Sequence, residues 1–82
     1  MTRPGIEAAL TAIFRETFAD PAMRLRPELT ARDVPGWDSL KMVMIFMAVE
    51  ERFSIRLRTR EMDALGCVGD FFDLIERKTA AT

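Results

Sequence analysis

The segment Asp38-Ser39-Leu40-Lys41 sets a hydroxyl beside a carboxylate, with an amine two residues further on. A serine so placed has three uses: nucleophilic attack, capping of a helix, or carriage of a phosphate ester. Attack needs a base, and the 82-residue chain contains no histidine and only two lysines, Lys41 and Lys78. On a helix Lys41 projects about 200° away from Ser39, out of reach of its proton. Histidine-dependent hydrolysis is excluded outright. With Cys67 as the single cysteine, a zinc site would be nearly all carboxylate, which zinc disfavours. Cys67 itself reads as a small buried residue rather than a reactive thiol.

Capping and ester carriage both require Ser39 to stand at a helix start. Either Asp38 or Ser39 can accept a hydrogen bond from the free N–H groups of a first turn. The same N–H groups and the positive pole of the helix would stabilise a phosphate ester on Ser39. Position alone leaves both readings open.

Four helical segments have to position this pair. Ile6, Ala9, Leu10, Ile13, Phe14 and Phe18 recur at spacings of three and four, which predicts a helix from about residue 5 to about residue 19, between Pro4-Gly5 and Asp20-Pro21. Residues 20–37 hold Pro21, Pro27 and Pro35 among isolated apolar residues, and read as a long connection pinned by those residues or containing a short helical turn. The next helix should span about 39–53. A short helix of about 60–65 follows, capped by Thr59 and ended by Gly66. The last runs over about 68–78 with Val68, Phe71, Phe72 and Ile75 inward and Leu74 alongside, and a polar tail closes the chain from Thr79 to Thr82. The fold class is all-α, a compact bundle of three main helices and one short one, in a single domain over residues 1–82.

The second long helix is apolar on two sides. Met42, Ile45, Phe46, Val49 and Phe53 gather within about 100° of arc and form a core face. Leu40, Met44 and Met47 fall on the opposite side near Glu51, with Val43 at the edge. Met-rich exposed surface suits contact with other proteins. A long connection folded over this face, or a second copy of the chain, would also use it. Trp37 fits as an anchor beside this helix or as a plug under the connection.

Composition narrows the remaining classes. At 49% hydrophobic and 30% charged residues the chain reads as a folded domain, too small for a deep active-site cavity. A net charge of −1 gives no field to collect nucleic acid or anionic lipid. The longest apolar run, Met42 to Val49, falls far short of the roughly 20 residues of a spanning helix, so no membrane insertion is expected. No secretory signal opens the chain, which reads as a mature start, and one cysteine points to a reducing cytoplasm.

Asp38-Ser39-Leu40, preceded by Gly36 and followed by an apolar helix ending Glu50-Glu51-Arg52-Phe53-Ser54-Ile55, resembles the acyl carrier protein family. Val68-Gly69-Asp70 resembles the start of that family's last helix, and the likeness runs from about Ile6 to about Ile75. The resemblance implies a monomeric carrier without catalysis of its own. A phosphopantetheinyl transferase would attach 4′-phosphopantetheine from coenzyme A to Ser39, flanked by Asp38 and Leu40. Cargo would travel as a thioester in fatty-acid, polyketide or related lipid synthesis, and the bundle would shelter the acyl chain. Loading and processing enzymes (a ligase, synthase or acyltransferase) would meet Leu40, Lys41, Val43, Met44, Met47 and Glu51. Lys41, Met44, Arg56, Arg58 and Arg60 depart from a family pattern that is often acidic, which points to a specialised member with its own enzymes, recognised more by apolar fit than by long-range charge.

Two rivals share these residues. A helical adaptor would use the apolar face and leave Ser39 as a cap, and an aminoacyl or peptidyl carrier would use the same serine and arm. Asp-Ser-Leu also occurs in a lipase-like motif, which the missing histidine disfavours.

Overall fold

Thr2 starts the first helix, its Oγ1 accepting the Gly5 N–H at 3.2 Å. In the computed structural model, which describes residues 2–80, α1 spans Arg3–Thr17, beginning and ending two residues before the expected limits. Pro4 does not precede the helix but lies in its first turn, where a missing N–H has no intrahelical partner to lose. At the other end Ala19 takes a left-handed φ of 51°. The Ala19 and Asp20 N–H groups then fold back onto the Glu16 and Arg15 carbonyls at 3.3 and 2.9 Å, a Schellman closure made here without glycine.

The long connection is pinned and also contains a helical turn. Leu29 is buried, and Met23, Leu25, Val34 and Trp37 pack half-buried against the core. A 3₁₀ turn at Ala31–Asp33 is held by Asp33 Oδ2, which accepts the Thr30 N–H at 3.0 Å and the Thr30 hydroxyl at 3.1 Å. Those bonds hold the Asp33 carboxyl below its ordinary pKa.

α2 is Ser39–Phe53, as expected, and Ser54 leaves it at a φ of 55°. α3 is Thr59–Asp63, shifted from the expected 60–65. Thr59 is its first residue rather than its cap. The Arg58 N–H is taken by Glu61 Oε1 at 2.9 Å, and the helix is over before Gly66, whose N–H donates to Asp70 Oδ2 at 2.9 Å.

α4 is Val68–Ala80, so Thr79 and Ala80 are helical rather than tail; Thr79 Oγ1 donates to the Ile75 carbonyl at 2.8 Å. Residues 81 and 82 of the expected tail lie outside the described residues. The residue before α4 is Cys67, a poor cap, and the long connection replaces it. The Val68 N–H donates to the Leu29 carbonyl at 2.8 Å and the Gly69 N–H to the Pro27 carbonyl at 2.7 Å, satisfying two of the helix's free donors.

That approach needs Gly69, because a Cβ there would stand 3.0 Å from the Pro27 oxygen. Gly69→Val should lower stability by about 2 kcal/mol, as overpacking against a fixed carbonyl does. The midpoint of urea unfolding checks it.

α1 lies against both α2 and α4. Ile6, Leu10 and Phe14 from α1, Ile45 and Val49 from α2, and Phe71, Phe72 and Ile75 from α4 are almost wholly buried, each contributing roughly 1.5–3 kcal/mol relative to exposure. Val68, Phe71, Phe72 and Ile75, the inward face expected of α4, are buried, and so is Leu74 alongside them. Met42, assigned to the core face of α2, is only half-buried. Among the described residues there is no strand, and no helix long and apolar enough to cross a membrane.

Lys78 Nζ meets Glu61 Oε1 at 2.9 Å, tying α3 to α4. This pair, with the Arg58 N–H bond, holds the Glu61 carboxyl below its ordinary pKa. A depressed carboxylate contributes stability that is present above its unfolded pKa and lost as pH falls through its folded pKa. Glu61→Gln should therefore destabilise at neutral pH and leave stability unchanged once the parent carboxyl is protonated, as unfolding midpoints across an acid series would show.

Candidate functional site

A turn aims the serine. Gly36 takes a φ of 83°, and the Trp37 N–H donates to the Val34 carbonyl at 3.2 Å, so Val34-Pro35-Gly36-Trp37 closes as a type II turn with proline and glycine in their preferred places. Trp37 is thereby driven inward. Its ring stands edge-on to Phe14 at 5.2 Å and to Phe18 at 6.1 Å, which makes it a plug under the connection. Its Nε1 is buried and meets no acceptor among the described residues.

Immediately after this plug the chain turns into α2, and here the two possible caps separate. Asp38 is the cap: its Oδ1 accepts the Lys41 N–H at 2.9 Å, and its carbonyl receives the first helical bond, from the Met42 N–H at 3.0 Å. Ser39 is the first residue of α2 and is exposed. Among the described residues no hydrogen bond closes on its hydroxyl. The N–H groups of Ser39 and Leu40 lie in the first turn, where no intrahelical acceptor exists. An anionic ester on Ser39 would therefore sit at the positive pole of α2 with free donors beneath it.

Neither lysine serves Ser39 as a base. Lys41 Nζ donates to the Thr17 carbonyl at 3.2 Å and lies 5.9 Å from the Phe18 ring centre, where the C-terminal pole of α1 favours a cation. Lys78 is held by Glu61. The sequence placed Lys41 on the contact face, but its ammonium is a strut between α1 and α2. Spacing along the chain cannot show this, because Thr17 is 24 residues away.

The other expected contact residues form one stripe along α2. Leu40, Val43, Met44 and Met47 are 66, 49, 43 and 64% exposed, and Glu51 is exposed beyond them. The apolar residues of the long connection pack on the core instead of covering this stripe. Glu50, by contrast, turns back to accept the Leu57 N–H at 2.9 Å.

Behind the serine end of α2 a cavity of about 50 Å³ lies between Ala31, Trp37, Met42, Leu65, Cys67 and Phe71. Cys67 is half-buried rather than buried, because it borders this space. The space is far smaller than the roughly 300–1,000 Å³ of a small-molecule pocket.

Ser39 thus stands at a capped helix start, outside a core built by α1, α2 and α4 and beside an exposed apolar stripe. No family model matches the chain. It is 32% identical over 81 residues to an acyl carrier protein of Acidothermus cellulolyticus, covering 99% of this chain and 96% of that one. It is 30% identical over 81 residues to one from Thermosynechococcus vestitus, covering 99% and 100%. The solution structure of a holo acyl carrier protein from Geobacter metallireducens superposes with a TM-score of 0.87 at 36% identity, over 93% of this chain and 87% of that one. The chain belongs to the acyl carrier protein family, whose members are carriers and not catalysts.

Proposed function

We propose that the chain carries acyl intermediates on 4′-phosphopantetheine attached through a phosphodiester to Ser39. The observation that supports this best is the division of labour at the start of α2. Asp38 supplies the cap, so the neighbouring hydroxyl has no structural duty and stands exposed beside free N–H donors. The attached group would supply a terminal thiol on which cargo travels as a thioester. This chain's residues do the rest: Asp38 keeps the first turn formed, the donors of Ser39 and Leu40 stabilise the anionic linkage, and the Gly36 turn holds the serine outward.

The partners in this reading are a phosphopantetheinyl transferase and the enzymes that load and process the cargo in fatty-acid, polyketide or related lipid synthesis. They meet Leu40, Val43, Met44 and Met47, with Glu51 beyond them. Lys41 supports that surface from below. The carrier acts as a monomer in one domain, and its single free cysteine suits a reducing cytoplasm.

The test is the intact mass of the folded protein after incubation with coenzyme A and a broad-specificity phosphopantetheinyl transferase. A gain of one phosphopantetheine, mapped to Ser39, is the expected result. No gain, with a second carrier modified in parallel, would sink the assignment for that transferase and move the weight to the apolar stripe as an adaptor surface.

A further inference from the structure

The methionines of this chain fall into two environments. Met23, Met42 and Met62 are half-buried and pack against the core. Met44 and Met47 are 43 and 64% exposed and lie outside that cluster. Among the described residues they are the two exposed methionines. Standing three residues apart on α2, they are neighbours on one face, with Leu40 and Val43 completing the stripe.

A thioether differs from the leucine and valine beside it in one respect: its sulfur is open to two-electron oxidation. Hydrogen peroxide supplies the oxidant. The sulfur lone pair attacks one peroxide oxygen, and an S–O bond forms as the O–O bond breaks. The departing hydroxide takes the proton of the transferred oxygen and leaves as water. Sulfur is thereby oxidised to the sulfoxide by two electrons and the peroxide is reduced by two. A flexible apolar chain end has become a polar acceptor. In the free carrier that oxygen stays hydrated, so the core and Ser39 are spared. Against an apolar partner surface it would lose its water and gain no donor.

We propose that Met44 and Met47 are an oxidation-sensitive site in the α2 stripe. Peroxide converts them to sulfoxides ahead of the packed methionines, and the carrier then stays folded and loadable while the enzymes it serves accept it far more slowly. This rests on the reading of the stripe as the surface that meets those enzymes, and adds how that surface is switched. Exposure sets the order of oxidation, and position on α2 sets its consequence. Cys67, the other oxidisable side chain, is half-buried, and its sulfenate or disulfide returns to the thiol under dithiothreitol, which leaves a methionine sulfoxide in place.

The test treats the apo-protein with hydrogen peroxide, stops with catalase, reduces with dithiothreitol, desalts, and only then attaches acyl-phosphopantetheine from an acyl coenzyme A, so that the arm never meets the oxidant. Peptide mass mapping should find oxygen on Met44 and Met47 before Met23, Met42 or Met62. The unfolding midpoint and loading at Ser39 should hold, while transfer to a fatty-acid condensing enzyme falls about tenfold. Methionine sulfoxide reductases, one for each epimer, should restore transfer. The double variant Met44→Leu, Met47→Leu is compared only with itself before and after peroxide, and its rate should be insensitive to the treatment. Oxidation that reaches the packed methionines first, undiminished transfer from the doubly oxidised chain, or an equal loss in the double variant overturns the proposal. A chain that gains no phosphopantetheine, or one that is loaded but refused by the condensing enzyme before any oxidation, removes the underlying reading and this proposal together. Transfer that Met47→Glu weakens and the sulfoxides do not removes the proposal alone.

Discussion

Ser39→Ala is expected to abolish phosphopantetheine addition completely while moving the unfolding free energy by no more than about 0.5 kcal/mol. In the proposed function the Ser39 hydroxyl is the acceptor oxygen, and alanine supplies none. Stability is spared because the cap of α2 is the Asp38 carboxylate, at 2.9 Å from the Lys41 nitrogen, and the Ser39 hydroxyl holds nothing in the described structure. Asp38→Ala should show the complementary pattern. Loss of an N-cap costs about 1 kcal/mol, so the unfolding midpoint falls while the acceptor hydroxyl remains. Measuring intact mass and urea unfolding on both variants separates the attachment residue from the capping residue. If Ser39→Ala destabilised by as much as Asp38→Ala, the serine would share the cap and the division of labour would be wrong.

The second large effect belongs to the apolar stripe. Met47→Glu should leave folding and Ser39 modification intact and reduce transfer of cargo to a processing enzyme by about tenfold to a hundredfold, the range for disrupting a central contact. Met47 is 64% exposed, so a carboxylate there costs the isolated carrier little. In a docked complex the same carboxylate would be stripped of water against an apolar surface. Met44→Glu, at 43% exposed, should act in the same direction with a somewhat larger cost to the fold. Circular dichroism and intact mass establish that each variant is folded and loaded, and kcat/KM for transfer reads the effect. Unchanged transfer by a loaded Met47→Glu would remove the stripe from the contact surface.

Neither effect depends on Lys41, although the residue lies on the same helix. Its ammonium is anchored at the end of α1, so replacing it would disturb the packing of two helices before it disturbed a partner. Substitutions there would mix stability with recognition.

Periodicity was sufficient for the elements that bury a stripe. The limits of α2 and the inward face of α4 at Val68, Phe71, Phe72 and Ile75 follow from spacing along the chain, because an apolar stripe at helical period has to be hidden. The Asp38-Ser39 pair was legible as a helix start, and the resemblance of Asp38-Ser39-Leu40 with its flanking motifs pointed to the family. Helix limits at Arg3, Thr17 and Asp63 were not legible. They depend on a proline accepted in a first turn, an alanine forced left-handed and a glutamate reaching back to a backbone N–H, all choices between local conformations of similar energy. Tertiary structure alone decided which side chain caps α2, that the long connection leaves the Leu40–Met47 stripe bare, that its Pro27 and Leu29 carbonyls replace a cap for α4, and that Lys41 is a strut. Each of these joins groups distant along the chain or chooses between neighbouring ones, and the choice is made by where the folded backbone leaves an unsatisfied donor or acceptor, which no one-dimensional pattern records.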